Sequence, residues 1–101
     1  MMKNHCPSKL QTKVECIVCG GVTDLERHHV FFGNPNRRHA EEDGMWVWVC
    51  HYHHTASLVS FHMNRRMDLK LKKFAQGVYE QEHTREEFIE RYGKSYLQDG
   101  E

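Results

Sequence analysis

The 101-residue sequence lacks a long apolar run, has only two prolines and carries no net charge. Without about 20 consecutive apolar residues it has no membrane-spanning segment, and its polar first residues lack the apolar stretch of a signal peptide. A net charge of zero provides no global attraction to nucleic acid. We therefore expect a cytoplasmic protein with no membrane partner.

Small size limits what the chain can bury. At 12.1 kDa there is room for one domain, and such a chain buries only about 60–65% of the surface of its unfolded form. Residues 1–13 are polar and are predicted to be a flexible N-terminal lead-in. Residues 14–101 are predicted to form the single domain, and a metal or other cross-link would help to stabilise it.

Charge is distributed in blocks although it sums to zero. Residues 1–39 carry a net charge of +3 and residues 63–79 a net charge of +4, whereas residues 40–62 carry −3 and residues 80–101 carry −4. Phosphate contacts depend on local charge, so the basic blocks are candidate nucleic-acid contacts. The alternative is a solvated surface. The candidate side chains for phosphate contact are Arg37, Arg38, Arg65 and Arg66.

Hydrophobic periodicity predicts an α+β fold. Strands are predicted at 25–32 and 45–49, separated by a turn at 33–36 and a loop over 37–44. An apolar stripe predicts a helix over about 65–82, and a capping box at Thr84 predicts a second over about 85–92. Periodicity does not decide whether residues 55–63 form a short helix or a helix followed by a loop.

Nine histidines and four cysteines are the unusual feature of the composition. Cys16 and Cys19 have C-x-x-C spacing, and Cys50 and His53 repeat the same gap at the end of the second strand. Zinc prefers four such ligands supplied as two short-spaced pairs. The sequence therefore predicts a structural Zn²⁺ site of three cysteines and one histidine. The alternatives are that the thiols are buried as small apolar groups, or that Cys6 replaces one ligand.

The remaining histidines carry a family resemblance. His28-His29-Val30 on the first strand, followed by Cys50-x-x-His53-His54 after the second, resembles the HNH endonuclease family, and most closely the small nucleases of phages and prophages. The resemblance covers about residues 16–64. It implies a small ββα-metal domain with a structural zinc, to which this chain adds two C-terminal helices.

The resemblance also implies roles for individual histidines. His29 would be the general base that takes a proton from water, and neutral imidazole is suited to this at neutral pH. His28 and His54 would hold Mg²⁺, Mn²⁺ or another divalent transition metal, with His62 as a further ligand. His5, His39, His51 and His83 are predicted to be ordinary hydrogen-bonded or solvent-facing residues.

Three local features set conditions on this assignment. Adjacent residues on a regular strand point to opposite faces, so His28 and His29 share a site only where the strand ends or bulges. His54 and His62 lie about 12 Å apart along a straight helix, so the chain must break between them. The middle asparagine of the family motif is absent, since the corresponding stretch is Asp43-Gly44-Met45, and Asn34 or Asn36 are the available substitutes.

The expected activity is hydrolysis of DNA phosphodiester bonds in phage DNA metabolism or recombination, in the cytoplasm of the host cell. The small binding surface would suit a homodimer or a larger phage protein partner. The competing hypothesis is a non-catalytic zinc module that binds nucleic acid or protein through the basic segment 63–79. A redox C-x-x-C protein is a weaker alternative, because no alternating βα pattern surrounds Cys16.

Overall fold

The computed structural model describes residues 6–97 and confirms an α+β fold built on a two-stranded antiparallel sheet. The chain order is strand β1, helix α1, strand β2, a short π-helical turn, and helices α2 and α3. Their bounds are Leu25–His29 for β1, Asn36–Asp43 for α1, Trp46–Cys50 for β2, Tyr52–Ala56 for the π-helical turn, Arg65–Tyr79 for α2 and Arg85–Tyr92 for α3.

The two strands lie where the sequence predicts them, with β1 shorter than expected. In their register His28 faces Val47 and His29 faces Trp46. Side chains of directly paired residues lie on the same face. One face therefore carries His28 with the fully buried Val47 and Val49, while the other carries His29 with the tryptophans of β2.

Residues 37–44 were predicted to be a loop, and this was wrong, because helix α1 spans Asn36–Asp43. Only Ala40 of this helix is buried, so its sequence shows no apolar stripe from which a helix could be predicted. The helix ends at Gly44, which adopts a left-handed conformation with φ of 74°. The connection between the two strands is therefore a helix, and this helix brings the Glu41 carboxylate close to β1.

The described part of the N-terminal segment, which the sequence predicts to be a flexible lead-in, lies against β2. The Trp46 indole N–H donates to the Cys6 carbonyl at 2.8 Å, and the Trp48 backbone N–H donates to Gln11 Oε1 at 2.8 Å. The Lys9 backbone N–H donates to the Gly44 carbonyl at 2.8 Å. The Trp48 carbonyl in turn accepts a hydrogen bond from the Ile17 N–H at 2.9 Å, so both backbone groups of Trp48 on the edge of β2 that does not pair with β1 are satisfied.

Helices α2 and α3 confirm the sequence-based expectation, although α2 ends at Tyr79 instead of near residue 82. The Thr84 hydroxyl and the Glu87 carboxylate form the predicted reciprocal capping box at the start of α3. Phe88 of α3 is fully buried, and its ring lies 5.1 Å from that of Phe31. Within residues 6–97 no helix is long and apolar enough to cross a membrane.

Two glycines provide a matched test of this packing. A Cβ on Gly44 would lie 2.5 Å from the Pro7 carbonyl oxygen at a positive φ, whereas a Cβ on Gly77 of α2 would meet nothing within 4 Å. We expect Gly44→Ala to destabilise the fold by at least about 1–2 kcal/mol. Gly77→Ala should stabilise it by about 0.5–1 kcal/mol. Urea unfolding monitored by circular dichroism measures both, and equal effects would contradict the packing of the N-terminal segment on Gly44.

Two candidate metal centres

The four predicted zinc ligands form one cluster. The ligand atoms of Cys16, Cys19, Cys50 and His53 all lie within 4.8 Å of one another. The Sγ atoms of Cys19 and Cys50 are 4.0 Å apart, and Nδ1 of His53 lies 3.4 Å from Cys50 Sγ and 3.9 Å from Cys16 Sγ. A tetrahedral zinc with ordinary bond lengths has S–S edges of about 3.8 Å and S–N edges of about 3.6 Å. These residues are therefore positioned to bind a metal ion, and the donor set is one that zinc prefers.

A tight turn presents the first two thiols. The Gly20 backbone N–H donates to the Cys16 carbonyl at 2.8 Å, and Gly20 itself has a φ of 77°. Backbone N–H groups of Val18 and Gly21 point at the sulfurs of Cys16 and Cys19, each at 3.4 Å. Such donors stabilise thiolates, which are the form that binds metal.

The thiols influence one another's ionisation. Burial raises the pKa of Cys16, but backbone N–H groups, first that of Cys50, outweigh it and lower this pKa to about 6. Burial and the neighbouring thiols Cys16 and Cys19 raise the pKa of Cys50. Three thiolates this close repel one another, and a divalent cation removes that conflict.

A second cluster consists of His28, His54 and His62, whose ligand nitrogens also lie within 4.8 Å of one another. The Nε2 atoms of His54 and His62 are 3.1 Å apart. The His28 ring lies 5.1 Å from the His54 ring and 5.0 Å from the His62 ring. The structure therefore brings together all three histidines that the sequence suggested as ligands of a second metal.

His62 reaches this cluster because the chain turns back after the π-helical turn. That turn ends at Ser57, whose backbone is extended. The Phe61 N–H then donates to the His53 carbonyl at 2.8 Å, and the His62 N–H to the His54 carbonyl at 3.2 Å. The break that the sequence analysis required between His54 and His62 is present.

His28 is the most buried member of the second cluster, with 1% of its surface exposed. Its ring stacks on Phe61 at 5.1 Å, and within the described part of the chain its Nε2 atom has no hydrogen-bond partner. Burial lowers the pKa of His28 to about 3, and charge on His54 and His62 adds to this effect. A neutral imidazole with an unsatisfied buried nitrogen fits a metal ligand.

Glu26 of β1 contacts the second cluster from outside. Its Oε1 lies 2.6 Å from His54 Nδ1, and its Oε2 lies 2.9 Å from Nδ1 of the exposed His51. Hydrogen bonds from His54 and then from His51 lower the pKa of Glu26. The carboxylate is therefore ionised at neutral pH and accepts a hydrogen bond from each ring.

A second carboxylate holds His29. The Nε2 atom of His29 lies 2.7 Å from Glu41 Oε1, and the other oxygen of Glu41 accepts a hydrogen bond from Arg27 at 2.5 Å. The Arg27 guanidinium lies over the Trp46 ring, 3.9 Å from its centroid. His29 is thus fixed by a chain of contacts that runs from β2 through β1 to α1.

One open cavity of about 510 Å³ is lined both by His29 and by the three histidines of the second cluster. His28 and His29 both line it, because β1 ends at His29 and the chain then leaves the strand. Arg37 lines it, but Arg38, Arg65 and Arg66 do not. The side chains around the cavity are those of Arg27, His28, His29, Phe32, Asn34, Arg37, His54 and His62, with Gly33 between them.

The other histidines have ordinary environments. His39 Nδ1 lies 3.0 Å from the Arg91 carbonyl oxygen, and the His83 ring stacks on Tyr79 at 4.2 Å. His51 pairs with Glu26, and His5 lies outside the described residues. Cys6 belongs to neither of the two metal-ligand clusters found within residues 6–97.

The two substitutes considered for the missing asparagine are placed differently. Asn34 lines the cavity, whereas the side-chain amide of Asn36 donates to the Tyr92 carbonyl at 3.2 Å. Asn36 therefore ties the start of α1, which lies between the two strands, to α3.

Sequence reasoning missed Glu26 and Glu41. Glu26 lies two residues before His28 on a strand, so the alternation of faces could have placed the two together. Glu41 gave no such signal, because its position depends on a helix without an apolar stripe.

Comparison of the chain with protein-family models, with curated proteins and with solved structures finds no match.

Removal of one thiol tests the first centre. We expect Cys19→Ser to lose the thiolate-to-metal absorption of the Co²⁺-substituted protein and to unfold at a lower temperature, because metal-binding energy contributes to folding energy. Cys6→Ser is the matched control and should change neither. Visible absorption and thermal unfolding followed by circular dichroism are the measurements. Wild-type absorption and stability in Cys19→Ser would exclude the four-ligand site.

Proposed function

We propose that the protein is a metal-dependent endonuclease of the HNH type that hydrolyses phosphodiester bonds of DNA. The observation that supports it is one open cavity lined both by His29, which the Glu41 carboxylate holds, and by the three histidines of the second cluster. In that cluster the buried Nε2 atom of His28 has no hydrogen-bond partner among the described residues. In this proposal β1, β2 and the π-helical turn form the ββα-metal unit, and the first cluster holds a structural zinc.

His29 is the general base in this proposal. A carboxylate can only accept a hydrogen bond, so Glu41 requires the proton of His29 to be on Nε2. The Nδ1 atom then carries a lone pair that can take a proton from water. Arg27 holds Glu41 from the other side, which keeps the ring in this tautomer and orientation.

The second cluster supplies the metal ligands. His28, His54 and His62 would hold a divalent ion, which would supply positive charge for the phosphate and for the departing oxygen. Binding would satisfy the Nε2 atom of His28, and because that imidazole is neutral no proton would compete with the metal for it. His54 and His62 hold their ligand nitrogens 3.1 Å apart and complete the cluster.

The proposed hydrolysis consumes one water molecule, and the proton that His29 takes up is afterwards returned to solvent. His29 accepts a proton from water as the water oxygen forms a bond to phosphorus. The bond between phosphorus and the 3′ oxygen breaks, and that oxygen takes a proton from solvent. The products carry a 5′ phosphate and a 3′ hydroxyl. Arg37 at the cavity wall is placed to contact the phosphate backbone on either side of the cleaved bond.

The biological setting follows only from the motif resemblance. We propose DNA as the substrate and phage DNA metabolism or recombination in the host cytoplasm as the process. Arg38, Arg65 and Arg66 are exposed and away from the cavity, so they are suited to contact a longer stretch of DNA. A homodimer or a larger phage protein would extend this small surface.

Substitution of the base tests the activity. With zinc in the first centre and added Mn²⁺ or Ni²⁺, we expect the wild type to nick and linearise supercoiled plasmid. His29→Ala should cut about 10²–10⁴-fold more slowly, because it removes general-base catalysis. His83→Ala, a histidine distant from the cavity, should cut at the wild-type rate. Gel quantification of supercoiled DNA over time is the measurement.

The outcomes separate the nuclease from its competitor. Equal cutting by wild type and His29→Ala would indicate a contaminating nuclease. Retarded DNA in a gel-shift assay, without cutting in any metal or of any branched substrate, would favour the non-catalytic zinc module.

The donor set also predicts a metal preference. Three imidazole ligands suit transition metals, whereas Mg²⁺ prefers oxygen ligands and water. We therefore expect higher plasmid-cutting rates with Ni²⁺ or Co²⁺ than with Mg²⁺ at equal concentration. Faster cutting with Mg²⁺ would contradict the three-histidine ligand set, and the His29→Ala rates in each metal provide the background.

A further inference from the structure

Glu26 is a charged side chain that contacts the second cluster but has no role so far in the proposed function, either as general base or as metal ligand. It lies on β1, and its side chain is 39% exposed. It nevertheless makes two short contacts, to Nδ1 of His54 at 2.6 Å and to Nδ1 of His51 at 2.9 Å. Although it is partly exposed, this carboxylate has a defined orientation, because each of its two oxygens accepts a hydrogen bond from a different imidazole ring.

The strand explains why this carboxylate reaches His54. Glu26 and His28 are two residues apart on β1 and therefore share a face. Their partners on β2, Val49 and Val47, share the same face. β1 thus provides a ligand nitrogen from His28 and a carboxylate for the opposite nitrogen of His54, and the position of both is fixed by one strand register.

The contact determines which nitrogen of His54 can bind a metal. Since a carboxylate accepts and never donates, the proton of His54 must be on Nδ1. Its Nε2 atom then carries the lone pair, and this is the atom 3.1 Å from His62 Nε2. A hydrogen bond at one ring nitrogen thereby selects the other as the ligand.

We propose that Glu26 is a positioning residue that holds His54 in the tautomer and orientation needed to bind the second metal. This inference rests on the proposed function, since it requires a metal at the second cluster. Glu26 acts on the metal through its ligand His54, whereas Glu41 contacts the general base, His29, directly. Substitution of Glu26 should therefore weaken metal binding, and substitution of Glu41 should slow cutting without weakening metal binding.

Nickel binding to the full-length, zinc-loaded protein is the direct test. Isothermal titration with NiCl₂ should give a Kd about 10–100-fold weaker for Glu26→Ala than for the wild type, as expected when a carboxylate partner of a histidine ligand is removed. Glu26→Gln keeps one acceptor oxygen for His54 Nδ1 and should recover most of the affinity. The zinc content should be equal in all variants, which confirms that the fold and the first centre are intact.

Two matched variants identify the contact responsible. His51→Ala removes the other partner of Glu26 and should leave the nickel Kd unchanged. Glu41→Gln should also bind nickel as the wild type does, while its plasmid-cutting rate falls. Long-range ¹H–¹⁵N spectra of the nickel-free protein provide a further readout, in which His54 should carry its proton on Nδ1 in the wild type and lose that preference in Glu26→Ala.

Each result decides between the inference and the function on which it rests. A wild-type nickel Kd in Glu26→Ala, or a wild-type His54 protonated on Nε2, would overturn the role of Glu26. If the wild type bound no nickel, the proposed function would fail, and the role of Glu26 in metal binding would fail with it. The tautomer spectra would then still report whether Glu26 orients His54.

Discussion

The attachment of the Cys16–Cys19 turn to the end of β2 is the constraint on which both clusters depend. Cys50 is the last residue of β2, and His53 lies in the turn that follows, so closing the first cluster fixes the direction in which the chain leaves the sheet. His54 is the next residue, and its place beside His28 follows from that direction. A chain of this size has limited core to hold such a turn by packing alone. A metal ion bound by the first cluster would therefore both stabilise the fold and position a residue of the second cluster.

Local spacing was sufficient to predict the features that the sequence encodes within a few residues. The two pairs Cys16/Cys19 and Cys50/His53 were found because zinc ligands recur at short gaps, and the structure brings all four together. The capping box at Thr84 was correct because it is a reciprocal bond between residues three apart. The apolar stripe of α2 likewise reflects burial of one helical face. In each case the physical cause lies within one segment of the chain.

The remaining features arise from contacts between segments. Helix α1 buries only Ala40 and is ended by a left-handed Gly44, so neither its existence nor the approach of Glu41 to His29 was visible in an apolar pattern. The return of His62 to His54 depends on backbone bonds formed across the π-helical turn. The hold of the N-terminal segment on β2 depends on a side chain, that of Gln11, meeting a strand edge. None of these has a periodic signal.

The energetic cost of burying His28 bears on the choice between the proposed nuclease and the non-catalytic zinc module. A zinc module without catalysis would gain stability from an apolar residue at position 28, because an unsatisfied buried nitrogen costs about 1–3 kcal/mol. The structure instead places the neutral His28 in the core, against Phe61. Its Nε2 atom has no hydrogen-bond partner within residues 6–97 and lies beside two further imidazoles. His39 and His83 have no comparable cost, since one meets a carbonyl oxygen and the other stacks on Tyr79. A ligand that satisfies the His28 nitrogen offsets the cost of burying it, and the clustered nitrogens of His54 and His62 make a metal ion the ligand that fits.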